Sequence, residues 1–430
     1  MALTAGAASA QDYSAYEGTT LVVNFPAHPH YTAVQKVLPQ FTEETGIEVE
    51  VDELQYLRMR DAQLLEMSKP EGDYDLISYV VFWKTEYADK RLVEPLAYYK
   101  LDPTINMPDY DADDLITGYV QNISQVGGEK GYLPGGLSMA IGVPFGSETS
   151  VLGYRKDIFE KHGLEVPETY DELMELACQI PELEPGMGGL ASRGQSNHQA
   201  VHAWLLHLAP QGGAVFDENF RPVVNNEIGV KAAEQLKSIL ECGPEGGTSF
   251  GFAESSNAFL QGSAAMYLDS ISIAAAAEDP ERSEVVGQVG WALHPMGTER
   301  ASQTGGFGIA IPSNSRNKEA AYLLMQWLTS KKGDKLIAMA GGSPSRFSTY
   351  NDPELQEMFP HYAVFAEALK YADPDWRPII PEWGEINAPN LGVAIGEIVN
   401  GETPAQEALD AVAARIEGIM ENAGYYGPSE

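Results

Sequence analysis

The sequence predicts an α/β fold in which strands of a largely parallel sheet are flanked by helices. Short apolar or β-branched stretches, typical of strands, alternate with stretches whose apolar residues recur at helical spacing. Such alternation is the signature of parallel strands joined by helices. The 430 residues, of which 44% are hydrophobic, suffice for two or three domains with proper cores.

The first strands and helices follow one another from residue 20 onward. Residues 20–25, 47–51 and 74–81 have strand character. A helix that Gly46 ends lies between the first two, and a helix over 56–68 precedes the third. Ligands of parallel sheets bind at the carboxyl ends of the strands, so residues close to these ends are candidate binding residues. They are His28, His30, Tyr79 and Trp83.

The middle of the chain contains a dense series of local signals over residues 141–173. Glycine and proline interrupt any helix before Glu148, and a short apolar strand follows. Asp157 is predicted to cap a short helix. Thr169 is predicted to cap the next helix, with Glu172 as its capping-box partner.

The second half of the chain continues the alternation. A polar loop over 192–199 precedes a helix over 200–208, and an amphipathic helix is predicted over 228–240. A buried strand ends at Asp269, where a carboxylate needs a partner.

The charge balance excludes several partners. Lys and Arg number 27 and Asp and Glu 62, which gives a net charge of −35. Such a surface repels nucleic acid and anionic lipid, and solubility is the ordinary interpretation of the acidity. The sequence contains no apolar run of about 18 residues, so no membrane-spanning helix is predicted. No nucleotide-binding loop of the GxGxxG or P-loop type is present, so no cofactor is expected.

Two features concern the cellular compartment. An A-x-A cleavage signature at residues 8–10 leads us to interpret residues 1–11 as the remnant of a secretory signal peptide. An Ala-rich tail without function remains the alternative. Cys178 and Cys242 are either two buried free thiols or one disulfide in an oxidising compartment.

Several motifs occur in a fixed order between about residue 20 and residue 420. The longest covers residues 154–173 and reads Y-x-K-D-I-F-x-K-x-G-L-x-x-P-x-T-Y-D-E-L. Shorter ones are G-G-x-x-F-D at 212–217, F-x-x-G-x-A-A-M at 259–266, G-G-x-x-I-A-I at 305–311, K-E-A-A at 318–321 and an N-G…P…A-L-D segment at 400–410. With these motifs the chain resembles the extracellular solute-binding proteins of ABC sugar importers, the maltose-binding-protein-like group. Tyr170 replaces the Trp that is usual in that group.

The resemblance implies an α/β, two-lobe periplasmic-binding-protein fold of type II. Each lobe is expected to be a mixed sheet flanked by helices, and three hinge crossovers are expected to join the lobes. The N-lobe is expected over residues 12–144 plus 293–333, and the C-lobe over 145–292 plus 334–430. The implied function is that of a periplasmic, monomeric, non-enzymatic protein. It captures a small carbohydrate or sugar alcohol in the inter-lobe cleft and delivers it to ABC permease subunits.

The resemblance also implies where the ligand is bound. Sugars are held by aromatic faces and by carboxylates, amides or arginine forks. Glu148 lies at the first crossover and is the strongest candidate. The complete set of predicted ligand-binding residues is His28, His30, Tyr79, Trp83, Glu148, Gln195, Asn197, His198, Asp269, Gly306, Arg346 and Trp383.

Structural roles remain alternatives for several of these residues. The loop residues Gln195, Asn197 and His198 are also consistent with a turn that caps the helix at 200. Arg346, the last residue of the predicted third crossover at 341–346, could equally brace that crossover. Trp383 also suits packing between helices.

Two other functions are alternatives at the level of the sequence. The pairs His28/His30 and His198/His202 could ligate zinc, although no further histidine-rich tract accompanies them. A glycosidase would use two carboxylates, but no motif pairs two acids and no G-x-S-x-G elbow is present.

Overall fold

The computed structural model describes residues 11–127 and 138–426. The predicted signal-peptide remnant lies outside the described residues, apart from Gln11. The strands are β1 (Thr20–Pro26), β2 (Glu48–Leu54), β3 (Leu76–Val80), β4 (Gln125–Val126), β5 (Met139–Ala140), β6 (Val143–Glu148), β7 (Ser150–Arg155), β8 (Gly188–Ala191), β9 (Ala264–Ser270), β10 (Val289–Leu293) and β11 (Gly305–Ala310).

The helices of the first half of the chain precede or alternate with these strands. They are α1 (Pro29–Thr45), α2 (Tyr56–Met67), α3 (Lys84–Asp89), α4 (Ala97–Leu101), α5 (Thr117–Tyr119), α6 (Lys156–His162), α7 (Tyr170–Leu183), α8 (His198–Leu208) and α9 (Glu227–Glu241). The later helices are α10 (Phe252–Leu260), α11 (Ala274–Ala277), α12 (Lys318–Thr329), α13 (Lys331–Met339), α14 (Phe347–Tyr350), α15 (Pro353–Met358), α16 (Tyr362–Ala368), α17 (Trp383–Ile386), α18 (Gly392–Val399) and α19 (Ala405–Asn422). None of the described helices is long and apolar enough to cross a membrane.

The chain forms two compact units and passes from one to the other three times. Unit 1 comprises Met1–Ser147 and Gly306–Met358, and unit 2 comprises Glu148–Gly305 and Phe359–Glu430.

Unit 1 contains a five-stranded sheet in the order β2-β1-β3-β11-β6. β1 pairs in parallel with β2 and β3, whereas β11 runs antiparallel to β3. The sheet is therefore mixed. Gly46 ends α1, as predicted, because at φ 70° it adopts the left-handed conformation that glycine tolerates best.

Unit 2 contains a four-stranded sheet in the order β10-β7-β9-β8. β7 runs antiparallel to both of its neighbours, and β8 runs parallel to β9. All residues of β9 are buried, and apolar side chains of α7 and α9 pack against this sheet. The predicted α/β fold with mixed sheets is confirmed.

The helix signals near residue 160 are partly confirmed. Thr169 and Glu172 form the predicted capping box at the start of α7. Asp157, however, does not cap α6, because the N-cap position is occupied by Arg155. Asp157 lies in the first turn and accepts two hydrogen bonds from the Arg155 guanidinium, at 2.8 and 2.6 Å.

The boundaries of the units differ from those predicted for the lobes. Residues 293–305 belong to unit 2, and residues 334–358 belong to unit 1. The third passage of the chain falls after Met358 and not at 341–346. The physical reason is that residues 343–346 bond to unit 1: the backbone N–H of Ser343 donates to His30 Nδ1 at 3.1 Å.

Cys178 and Cys242 form a disulfide, with their Cα atoms 5.1 Å apart. The bond joins α7 to the residue that follows α9, and 64 positions separate the two cysteines. A stable disulfide is typical of an oxidising compartment.

We predict that the disulfide makes a large contribution to the stability of the protein. A closed loop of this length restricts the unfolded chain by about 4 kcal/mol in the chain-entropy model. Replacing both cysteines with serine should therefore lower the urea midpoint. Reductant should lower the midpoint of the unmodified protein and leave that of the double variant unchanged. Equal midpoints with and without reductant would contradict the prediction.

Candidate functional site

Polar side chains of unit 2 gather at one edge of its sheet. β8 and β9 are parallel and end at this edge, and the antiparallel β7 begins there, with Ser150 opposite Ser270. β10 also ends there, since Leu293 lies opposite Val151. We call this the polar edge of unit 2. Its central groups are Arg193, which follows β8, and Asp269, which lies near the end of β9.

Arg193 and Asp269 form a bidentate ion pair. Arg193 Nε donates to Asp269 Oδ2 and one terminal nitrogen donates to Oδ1, both at 2.6 Å. The two residues are 5% and 1% exposed. Oδ1 also accepts the backbone N–H of Ser270 at 2.7 Å. Burial opposes ionisation of Asp269, but Arg193 and His202 nevertheless hold its pKa below the ordinary value.

His202 connects this pair to a second arginine. Its Nε2–H donates to Asp269 Oδ1 at 3.2 Å, and its Nδ1 accepts from Arg377 at 3.1 Å. This is the pattern of a neutral imidazole. Burial, reinforced by the charge of Arg193, lowers the pKa of His202 to about 4, so the ring is neutral at pH 7.

The beginning of α8 also contributes to this edge. Asn197 caps the helix by accepting the N–H of Gln199 at 2.8 Å, which is the structural role that remained an alternative for it. His198 Nδ1 accepts from Asn387 Nδ2 at 2.9 Å. Gln195 contributes backbone bonds, since its N–H donates to Phe250 and its carbonyl accepts from Ala200.

Trp383 and Asn387 lie one helical turn apart and both are buried. Trp383 is fully enclosed, and its Nε1–H has no hydrogen-bond partner within the described part of the chain. The same holds for Asn387 Oδ1. Glu148 is half-buried, is the last residue of β6, and is the residue at which the chain passes from unit 1 to unit 2.

The candidates of unit 1 fall near the ends of its strands. His28 caps α1, and its ring lies 5.0 Å from that of Phe307 on β11. Trp83 is buried and packs against Tyr87, at 6.3 Å between ring centroids. Gly306, also on β11, has φ 95°, a conformation that strains any residue with a Cβ.

Three other candidates of unit 1 are buried. Tyr79 donates its hydroxyl to the carbonyl of Ile123 at 2.8 Å. His30 is held by Ser343, as described above. Arg346 is wholly buried and braces unit 1. Its guanidinium donates to the carbonyls of Thr329, Asp111 and Tyr110 at 2.6 to 2.7 Å and to the Asp114 carboxylate at 3.1 Å.

The structure also contains site residues that the sequence analysis missed. Ligands bind at the carboxyl ends of parallel strands, so Arg193 would have been a candidate if residues 188–191 had been recognised as a strand. The segment reads Gly-Gly-Leu-Ala and lacks β-branched residues, so it gives no strand signal. His202 was considered only as a metal ligand, and nothing in the sequence indicates the contact with Arg377. Within residues 11–127 and 138–426, no group of three or more His, Cys, Asp or Glu could hold a metal ion.

Solved structures share this fold over almost the whole chain. A solute-binding protein from Agrobacterium radiobacter K84 in complex with ribitol superposes with a TM-score of 0.84, at 28% identity over 94% of this chain and 99% of that chain. One from Agrobacterium vitis S4 with bound D-mannitol gives a TM-score of 0.81, at 27% identity over 96% and 100%. The fold is thus that of the two-lobe binding proteins of ABC transporters, as predicted.

The sequence comparisons agree. The family model described as bacterial extracellular solute-binding protein matches residues 27–335, and the chain belongs to this family. A probable amino-acid ABC transporter periplasmic-binding protein of Sinorhizobium fredii is 27% identical over 92% of this chain and 88% of its own length. The mannitol-binding protein of Pseudomonas aeruginosa is 28% identical over 85% of both chains. The erythritol/L-threitol-binding protein of Mycolicibacterium smegmatis is 26% identical over 81% of this chain and 73% of its own.

We predict that Asp269→Ala strongly destabilises the protein. The substitution leaves the Arg193 guanidinium buried without its counter-charge, which costs about 3–5 kcal/mol. Glu417→Ala is the matched control in unit 2. It removes a pair with Arg221 whose side chains are about half exposed, at 47% and 50%, so its effect should stay below about 1 kcal/mol. Chemical denaturation measures both. Similar losses for the two variants would contradict the prediction.

We also predict that stability falls as the pH drops from about 6.5 towards 4.5. Burial lowers the pKa of His202 and His207 to about 4, and that of His30 and His294 to about 3. In this window the unfolded chain binds protons that the folded chain does not. Each such histidine therefore removes up to about 1.4 kcal/mol per pH unit.

The measurement is the urea midpoint between pH 7.5 and 4.5, for the unmodified protein and for His207→Phe. Neither ring nitrogen of His207 has a partner among the described residues, and its ring packs against that of Tyr170. An aromatic replacement should fit there and make the pH dependence shallower by about one proton. An unchanged slope would show that His207 does not contribute.

Proposed function

We propose that this protein is the substrate-binding component of an ABC importer and that its ligand is a small uncharged polyol or monosaccharide. It would act in the periplasm as a monomer and pass the ligand chemically unchanged to the permease subunits. The observation that carries the proposal is the similarity, over most of the chain, to proteins named for mannitol and erythritol/L-threitol. Structures with ribitol and D-mannitol support the same ligand class.

The chemistry of unit 2 supports an uncharged ligand. Every hydroxyl group of a polyol both donates and accepts a hydrogen bond. Asn387 is bonded to His198 at the start of α8 and has an amide oxygen that is not used within the described chain. Trp383, one helical turn before it, has an indole N–H donor that is likewise unused there. A ligand of one charge sign would match only one of these two groups.

The remaining contacts of the proposed site come from the candidates whose surroundings leave such a role open. Glu148 would accept from ligand hydroxyls, Trp83 and His28 would contact the C–H face, and the backbone at Gly306 would approach the ligand closely. A micromolar dissociation constant needs about 8 kcal/mol in total, which a few such contacts can supply.

An amino acid is the second candidate ligand, because one relative is named as a probable amino-acid binding protein. An amino acid needs an anionic acceptor for its ammonium group. Asp269 is poorly suited to this role, since Arg193, His202 and the backbone of Ser270 already bond to its carboxylate. Glu148 remains a carboxylate that would suit an ammonium group, so the preference for a polyol rests on the relatives and structures named for polyols.

We predict that polyols raise the thermal midpoint of the protein. The panel is erythritol, ribitol, D-mannitol, maltose, a mixture of amino acids, and zinc with and without chelator. A ligand at a hundred times its dissociation constant adds about 2.7 kcal/mol of stability. A response to amino acids alone would favour the second candidate, and no response from any polyol or sugar would reject the proposal.

We predict that Glu148→Gln and Trp83→Ala each weaken the binding of the responding polyol by about tenfold or more. The first replaces a charged acceptor with a weaker neutral one, and the second removes an aromatic contact. Titration calorimetry measures the affinity, and chromatography of the recovered ligand tests whether it is unchanged. Glu417→Ala, on the surface of unit 2, serves as the control with unaltered affinity. Wild-type affinity in both site variants would remove these residues from the proposed site.

A further inference from the structure

Gln303 is a buried residue whose side-chain amide has no hydrogen-bond partner among the described residues. It lies between β10 and β11 and is 0% exposed. Neither its Oε1 nor its Nε2 is bonded to any group in the described chain. A buried amide left in this state costs about 1–3 kcal/mol. Such a cost points to a partner that binds from outside the protein chain.

The surrounding backbone fixes the position of this amide. The N–H of Ser302 donates to the carbonyl of Tyr371, and the carbonyl of Ser302 accepts the N–H of Asp373, both at 2.9 Å. The hydroxyl of Thr304 donates to the carbonyl of Asp373. Both neighbours of Gln303 are therefore anchored to residues 371–373, and its missing partner does not result from a loosely held loop.

The same anchoring brings Gln303 to the polar edge of unit 2. Its backbone N–H donates to Ser150 Oγ at 3.1 Å. Ser150 lies opposite Ser270 in the β7–β9 pair, and Ser270 is the residue directly after Asp269. Gln303 therefore extends the row of polar groups at the edge where β8 and β9 end.

Trp383 and Asn387 provide an independent observation. These two residues belong to a different chain segment, which contacts α8 through the bond from Asn387 to His198. The indole N–H donor and the amide oxygen acceptor are both buried, and neither is used by any group in the part of the chain that the structure describes. Together with the Gln303 amide, the unused groups include donors and acceptors and carry no charge.

We propose that Gln303 is a ligand-binding residue whose side-chain amide holds two neighbouring hydroxyl groups of a polyol. This inference rests on the proposed function. One hydroxyl accepts from Nε2–H and the other donates to Oε1, so the amide selects for a vicinal diol. A deoxy ligand that lacks one of these hydroxyls leaves half of the buried amide unmatched and binds more weakly.

The test compares Gln303→Met with Gln211→Met. Methionine retains the length of the side chain and removes its hydrogen bonds. Gln211 is the matched control, a buried glutamine of unit 2 whose Nε2 donates to His207 O at 2.7 Å and to Gln235 Oε1 at 2.6 Å. Two quantities are measured: the thermal midpoint without ligand, and the dissociation constants for erythritol, ribitol and D-mannitol by titration calorimetry.

The two variants should behave in opposite ways. Gln303→Met should keep or raise the thermal midpoint, because it removes an unsatisfied polar group, and should weaken polyol binding by about tenfold or more. Gln211→Met should lower the midpoint and leave the dissociation constant unchanged.

Each other outcome identifies which proposal fails. A lower midpoint for Gln303→Met without ligand would show a structural partner and overturn the inference. Unchanged polyol affinity in that variant, with binding by the unmodified protein, would overturn the inference and leave the proposed function standing. If the unmodified protein binds none of the three polyols, the proposed function fails and the inference falls with it.

Discussion

The ion pair between Arg193 and Asp269 is the interaction on which the organisation of unit 2 depends. Each charge, if isolated in an apolar interior, costs several kcal/mol, and the two-point geometry with short bonds offsets that cost. The pair joins Arg193, two residues after the end of β8, to Asp269 near the end of β9, and so helps to fix the alignment of these two parallel strands. His202 extends the pair to α8 and to Arg377, so segments distant in the sequence meet at one carboxylate.

This constraint also determines which groups of the polar edge have hydrogen-bonding capacity left for a ligand. A carboxylate that already accepts four hydrogen bonds, three of them from side chains, has little capacity left for a ligand. Its function is to position Arg193 and His202. On the proposed function, recognition at this edge falls to uncharged groups whose hydrogen-bonding capacity is not fully used within the described residues, and Glu148 adds a charged acceptor. In this proposal Arg193 and Asp269 order the polar edge, and the neutral groups of Gln303, Trp383 and Asn387 bind ligand hydroxyls together with Glu148.

Local signals in the sequence were sufficient for much of the fold. Gly46 ended a helix and Thr169 formed a capping box, because these effects depend on a few adjacent residues. The motifs from residue 154 onward indicated the family, which the comparisons confirmed.

The features that could not be predicted from the sequence also have a physical explanation. Burial and pairing depend on residues far apart in the chain: Arg346 bonds to carbonyls more than 200 positions away, which no local pattern reports. The same reason explains why residues 334–358 belong to unit 1. Gln303 could not be identified from the sequence, because what marks it is a buried side-chain amide that has no partner among the described residues.

The histidines show how such long-range contacts bear on the zinc alternative. A zinc ligand must offer a ring nitrogen with a free lone pair. His202 has both nitrogens engaged, with Asp269 and Arg377. His30 accepts from Ser343 at Nδ1, which leaves its Nε2 as the protonated nitrogen. Zinc binding by either ring would break a buried hydrogen bond or require loss of a proton in an apolar interior. The spacing that made these residues candidates for metal binding is therefore better explained by the hydrogen bonds that anchor α1 and α8.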